Sequence, residues 1–167
     1  MGLFDRAGLP AADFRSLTEA VGRRVRVLAW ARGADGPVVG LADRLAVRGP
    51  DAWRFIGWHE VASGGWDAET GRLRWRLIDG VRDDLVLDGP GSLPELFRER
   101  VEASIVVQER LELARGRVAL IAARRRLGDE HAPLTWSISR HGGSFDSAQA
   151  DQADAELARL RAEYDIA

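Results

Sequence analysis

Three histidines, His59, His131 and His141, and the absence of cysteine bound the chemistry open to this chain of 167 residues. Without a thiol there is no thiolate nucleophile, no disulfide and no soft metal ligand, so stability must come from packing. His59 is followed directly by Glu60. On an extended strand, neighbours in sequence point to opposite faces, so this pair is not expected to act jointly on one bound group. His131 and His141 flank a strand-like run, with Asp129 and Glu130 beside the first. That spacing fits no metal-ligand set, and no metal site is predicted. The sequence also lacks a nucleophile elbow, a phosphate-cradling glycine loop and paired acids at reactive spacing. No catalytic residue and no cofactor is therefore assigned.

Arginine and tryptophan supply the remaining candidates. All 24 basic residues are Arg, a skew expected of a GC-rich bacterial genome. Arg115, Arg117 and the run Arg124, Arg125 and Arg126 form a basic patch on a predicted hairpin, and Trp75 or Trp136 offers a ring on which a base could stack. Glu109, Glu112, Asp129 and Glu130 dilute that patch, and an acidic final helix offers counter-charge, which argues against nucleic acid. Most of the six tryptophans are expected to fill a core of short strands. Trp53 and Trp58 have opposite parity on one predicted strand, so one of them should reach the outer surface. With Arg54 and His59 they make the predicted binding patch, suited to a protein partner or to self-association.

These residues depend on elements legible from period and punctuation. Phe14, Leu17 and Val21 keep helical spacing after Pro10, which predicts a short N-terminal helix. From Arg23 the period becomes two: Val25, Val27, Ala29 and Ala31 share a face, as do Val39, Leu41, Leu45 and Val47 after the turn Gly33-Ala-Asp-Gly-Pro37. Asp43-Arg44 interrupts the second row, where a bulge or tight hairpin is expected. Residues 52 to 61 carry aromatics on both faces and read as a central strand. Leu73, Trp75 and Leu77 alternate with Arg72, Arg74 and Arg76 in a half-exposed strand, and a further strand runs near Asp84 to Leu87. Six or seven short strands at this spacing favour a barrel or sandwich.

Ser92-Leu-Pro-Glu95 has the capping-box pattern, and Leu93, Leu96, Phe97, Val101 and Ser104 continue it as an apolar helical stripe. Residues 104 to 113 read either as a continuation of that helix or as a strand in which Ile105, Val107, Leu111 and Leu113 share a face. A turn at Ala114-Arg-Gly-Arg117 leads to Val118, Leu120 and Ala122. Leu134, Trp136 and Ile138 mark another strand. A final helix is capped by Asp146 or Ser147 and buries Ala153, Leu157, Leu160 and Tyr164.

Residues 23 to 104 resemble a bacterial pleckstrin-homology-like domain of the type found in actinobacterial proteins. The resemblance is carried by Arg26-Val-Leu-Ala-Trp30, Val39-Gly-Leu-Ala-Asp-Arg-Leu-Ala-Val47, Ile56-Gly-Trp-His-Glu-Val61, Trp66-Asp-Ala-Glu-Thr-Gly-Arg-Leu73 and Leu93-Pro-Glu-Leu-Phe-Arg-Glu-Arg-Val101. It implies a bent antiparallel sheet, a partly open barrel plugged by the helix that follows the last strand. The loop that carries basic residues in lipid-binding members is here Gly33-Ala-Asp-Gly-Pro37, which argues against headgroup binding.

The expected architecture is α+β: a helical lead-in over 1–22, a PH-like sheet with its helix over 23–104, and C-terminal strands with a final helix over 105–167, in one domain. Formal net charge is −2, so no global field draws the chain to nucleic acid or an anionic membrane. No apolar run approaches the roughly 20 residues of a membrane helix. The start, Met1-Gly-Leu-Phe-Asp-Arg-Ala-Gly8, lacks the pattern of a signal peptide, so a cytoplasmic location is expected. The function expected is protein–protein contact or self-assembly without catalysis. The alternative is a small-molecule-binding or hydrolytic domain with a cavity between curved sheet and helix, lined by His59.

Overall fold

The structure, a computed structural model, describes residues 5–165. It is α+β, with three helices and three antiparallel sheets, and among the described residues no sheet closes into a barrel. No helix among them is long and apolar enough to cross a membrane. The chain divides into two compact units, Met1–Ala103 and Ser104–Ala167.

The first unit opens with helix α1, Ala11–Val21. Pro10 precedes its first turn, where a missing N–H costs nothing, and Gly22 ends it in the left-handed region at φ 79°, donating its N–H to the Thr18 carbonyl. Strands β1 (Ala29–Arg32), β2 (Pro37–Gly40), β3 (Arg44–Arg48) and β4 (Trp53–Gly57) form a sheet in chain order. Strands β5 (Val61–Asp67), β6 (Arg72–Leu77) and β7 (Arg82–Val86) form a second. Past the end of β7, Asp88 exchanges backbone hydrogen bonds with Arg32 of β1, which ties the two sheets together.

Both faces of the first sheet are covered, which is why β2 and β3 read as continuous apolar runs. Val39 and Ala46 pack with Phe14 and Leu17 of α1, and the half-buried Trp30, Trp53 and Phe55 complete that cluster. Val38, Leu45, Val47 and Ile56, on the other face, are all buried. Asp43-Arg44 is a tight hairpin, closed by the Leu41 N–H donating to the Arg44 carbonyl at 2.9 Å.

Helix α2, Leu93–Ala103, lies against β1, β2 and β5. Phe97 is its anchor: the ring lies 5.8 Å from Trp58 in an edge-to-face contact and 6.3 Å from Trp75. Two glycines make room for the helix. A Cβ on Gly40 would collide with Leu96, and one on Gly64 would stand 2.6 Å from the Arg74 carbonyl oxygen and 2.8 Å from Phe97. The space between this helix and the sheets is thus occupied by Phe97, Leu93, Trp58 and Trp75, all buried.

Two expected strands differ. The run from 52 to 61 is broken: β4 stops at Gly57, residues Trp58–Glu60 form a 3-10 turn, and β4 is an edge strand, not a central one. The Glu60 carboxylate accepts the Gly57 N–H at 2.6 Å, which closes the turn and drives the Trp58 ring inward. Val25 and Val27 precede β1, because the Val27 N–H is taken by the Asp5 carbonyl at 2.7 Å.

In the second unit, residues 105–112 are strand, not helix: β8 (Ile105–Glu112), β9 (Val118–Arg124) and β10 (Thr135–His141) form a sheet ordered β10-β9-β8. A register shift between Ile105 and Val107 starts the pairing. Central β9 is aliphatic from Val118 to Ala123, with Ala119, Ile121 and Ala123 fully buried. Helix α3, Ser147–Tyr164, packs on it and is capped by Asp146 and Gln149 in a reciprocal box. Its stripe is narrower than expected. Ala153 and Leu160 are buried, Leu157 is half-buried and Tyr164 is exposed; Gln149 takes the buried position one turn earlier, donating to the Ala114 carbonyl at 2.7 Å.

The neighbouring glycines of β5 should respond oppositely to alanine. Gly64→Ala must displace Phe97 and a carbonyl, and should cost about 1–3 kcal/mol in chemical denaturation. Gly65→Ala meets open space and should be neutral or stabilising by up to about 1 kcal/mol.

Candidate functional site

Cross-strand register in the second sheet builds a surface of three rows. Ser63, Arg76 and Arg82 are direct partners, as are Gly65, Arg74 and Asp84, and then Asp67, Arg72 and Val86. Direct partners share a face, and residues two apart on a strand share it as well, so all nine positions point the same way. The intervening rows, Gly64 with Trp75 and Trp66 with Leu73, face the helix side; Leu73 and Trp75 are buried there. The outward face is hollow. A cavity of about 750 Å³ lies over it, running from Ser63 along Gly65 to Asp84. Gly65 supplies its bare floor, where a Cβ would meet nothing within 4 Å.

Four arginines and two carboxylates occupy this face. Arg72 donates to Asp84 at 2.9 Å, and Arg74 stands 3.5 Å from Asp67. Asp67 also closes the β5–β6 turn by accepting the backbone N–H groups of Glu69 and Thr70. Its carboxyl is held below 3.8, first by the Thr70 side chain, then by these amides and the Arg74 charge. Arg82 is exposed and has no ion-pair partner among the described residues.

The four residues expected to form a binding patch are dispersed. Trp53 is half-buried, donates its indole N–H to Ser16 Oγ at 2.9 Å and lies under the Arg48 guanidinium, so it pins α1 to the sheet. Trp58 is fully buried and donates to the Leu41 carbonyl at 2.9 Å. Neither is an exposed ring, because the two do not share a strand. Arg54 reaches from β4 to β7, donating to Asp83 at 2.5 Å with its guanidinium 6.0 Å above the Trp75 ring. His59 sits half-buried in the 3-10 turn, its ring against Gly57.

The five arginines of the second unit do not converge either. Arg115 and Arg117 stand at one end of β9, Arg124, Arg125 and Arg126 at the other, with a strand of seven residues between them, about 23 Å at the usual rise. Arg124 is buried and donates to Ser137 Oγ, Arg125 donates to the Ala132 carbonyl, and Arg117 donates to the Ser144 carbonyl. Arg115 is exposed at a positive φ of 60°. His131 and His141 lie before and at the end of β10, both exposed. Among the described residues no group of three or more ligating side chains could hold a metal ion.

The half-exposed Arg72-Leu-Arg-Trp-Arg-Leu77 pattern was visible in the sequence. Its partners Ser63, Gly65, Arg82 and Asp84 were not, because only register across three strands puts them beside it.

Because the Asp67 carboxyl is lowered by its folded partners, the stability it lends the turn is present above 3.8 and is lost as pH falls through its lower folded value. The Glu69 and Thr70 amide resonances should therefore titrate in NMR with a midpoint below 3.8, and Asp67→Asn should abolish that titration. A midpoint at or above 3.8 would contradict the arrangement. No family model matches the chain, and neither does any curated protein or solved structure.

Proposed function

We propose that the chain is a non-enzymatic protein-interaction module whose first unit is PH-like, and that an extended segment of a partner protein lies in the groove over β5, β6 and β7. The resemblance of residues 23–104 implies antiparallel strands followed by a helix that packs on them, and seven such strands followed by a helix against both sheets support the PH-like reading. The observation that carries the binding reading is the groove itself. Its floor is exposed backbone at Gly65 and its walls are charged side chains on a rigid sheet.

An extended chain suits this shape. Pockets for small molecules enclose most of the ligand, whereas this one is open, with arginine and aspartate beside Trp66 and Trp75 along it. The helix side of the same sheet, where a buried ligand would need room, is filled by Phe97, Trp58 and Trp75. Polar side chains over bare backbone offer hydrogen bonds to the main chain of a partner, with charges to choose among side chains.

Gly65→Trp places an indole in the groove from a position where a Cβ meets nothing within 4 Å, and should leave the fold intact. Displayed random peptides selected on the wild-type chain should share a consensus and lose at least about tenfold in affinity, about 1.4 kcal/mol, for Gly65→Trp. Failure to enrich any peptide over the blocked variant would overturn the proposal. Sedimentation showing a dimer that Gly65→Trp dissociates would replace the partner with a second copy.

A further inference from the structure

We infer that the second unit holds a site for a free amino acid with an apolar side chain, in a cavity of about 560 Å³ between the β9–β10 loop and the end of α3. The site lies wholly within residues 125–165 and is independent of the groove over β5, β6 and β7. Two arginines and two carboxylates line it, beside His131. One opposite pair is already matched: Asp165 accepts the Trp136 indole N–H at 2.9 Å through one oxygen and Arg161 Nε at 3.3 Å through the other. The second pair is not. Arg125 donates through Nε to the neutral Ala132 carbonyl at 3.1 Å, which leaves its two terminal nitrogens unengaged, and it has no ion-pair partner among the described residues. Glu130 has none either, so the cavity carries one uncompensated charge of each sign.

Those two charges select the ligand. The terminal N–H pair of a guanidinium matches the two oxygens of a carboxylate, and a carboxylate accepts from an ammonium. A simple anion would be repelled by Glu130 and a simple cation by Arg125, whereas a zwitterion satisfies both walls. An α-amino acid carries its two charges on one carbon, small enough for a cavity of this size. Its side chain has an apolar bed in Pro133, Leu134 and the Tyr164 ring. Tyr164 continues the stripe of α3 yet is exposed, so a side chain lying on it would cover apolar surface that the chain itself leaves in water. The loop is also set in advance. Asp129 donates its N–H to the Arg126 carbonyl at 3.4 Å, Ala132 to the Asp129 carbonyl at 3.2 Å, and His131 to Asp129 Oδ1 at 3.1 Å. Anchoring of this kind limits the ordering cost of binding.

Titration of the full chain with L-phenylalanine, followed by amide shifts, the Trp136 indole resonance and melting temperature, tests the site. Saturable shifts at Glu130, Ala132 and the Trp136 indole are expected, with a rise in melting temperature. Glycine, with the same charges and no side chain, should bind at least about tenfold more weakly. L-Phenylalaninamide lacks the carboxylate and N-acetyl-L-phenylalanine lacks the ammonium, and both should bind more weakly than phenylalanine. Arg125→Gln should weaken phenylalanine by at least about tenfold and leave the amide unchanged or improved. Glu130→Gln should weaken phenylalanine by about two- to fivefold, the range of an exposed ion pair, and leave the acetyl derivative unchanged or improved. Glu130 is exposed, so its variant keeps the fold whatever Arg125→Gln does. No saturable shift with phenylalanine would overturn the site, as would a variant that loses all three phenylalanine ligands equally. Binding of the acetyl derivative or the amide as tight as that of phenylalanine would overturn the assignment to an amino acid.

Discussion

Phe97 is the residue on which the first unit turns. Its ring meets Trp58 and Trp75, and those contacts hold helix α2 against both sheets. Aromatic pairs of this kind contribute about 0.5–1.5 kcal/mol each beyond the area they bury. Every nearby feature is shaped by that ring. The 3-10 turn at Trp58–Glu60 exists to deliver the indole inward, Gly64 exists to leave the ring a seat, and Gly40 lets Leu96 follow it down.

Fixing one face of a strand fixes the other. Once Trp75 and Leu73 are committed to the helix side, Arg72, Arg74 and Arg76 can only point outward, and the register with β5 and β7 decides what stands beside them. A slip of one residue would bury three guanidiniums. The charged face is therefore held in register by apolar packing on its far side, and its own ion pairs, exposed as they are, contribute little to stability. A surface that contributes little to stability can be specified by other demands.

Most of the architecture could be read from period and punctuation. Helix α1, the Asp43-Arg44 hairpin, the half-exposed β6 and the Asp146 cap follow from spacing and turn residues alone. The failures share a cause. Residues 53 to 61 carry aromatics at strand-like positions, yet Gly57 and the reach of the Glu60 carboxylate outweigh that local propensity. Trp53, Arg54, Trp58 and His59 look like one patch because they are close in sequence, but alternation along β4 sends Trp53 to the α1 side and Arg54 to the Trp75 side, while the turn buries Trp58 and leaves His59 half-buried. The groove was missed for the converse reason: its residues are distant in sequence and only pairing unites them.

Two adjacent glycines condense the relation between stability and binding in this fold. Gly64 and Gly65 follow one another on β5, so their missing side chains lie on opposite faces. The absent Cβ of Gly64 is space that Phe97 and a backbone carbonyl have already taken, whereas the absent Cβ of Gly65 is space that nothing in the chain fills. Glycine in a strand interior weakens the strand, and at Gly64 the seat of the aromatic cluster offsets that weakness. At Gly65 no contact within the chain does so. On the proposed reading the compensation comes from outside the chain, from a partner segment lying directly over that residue.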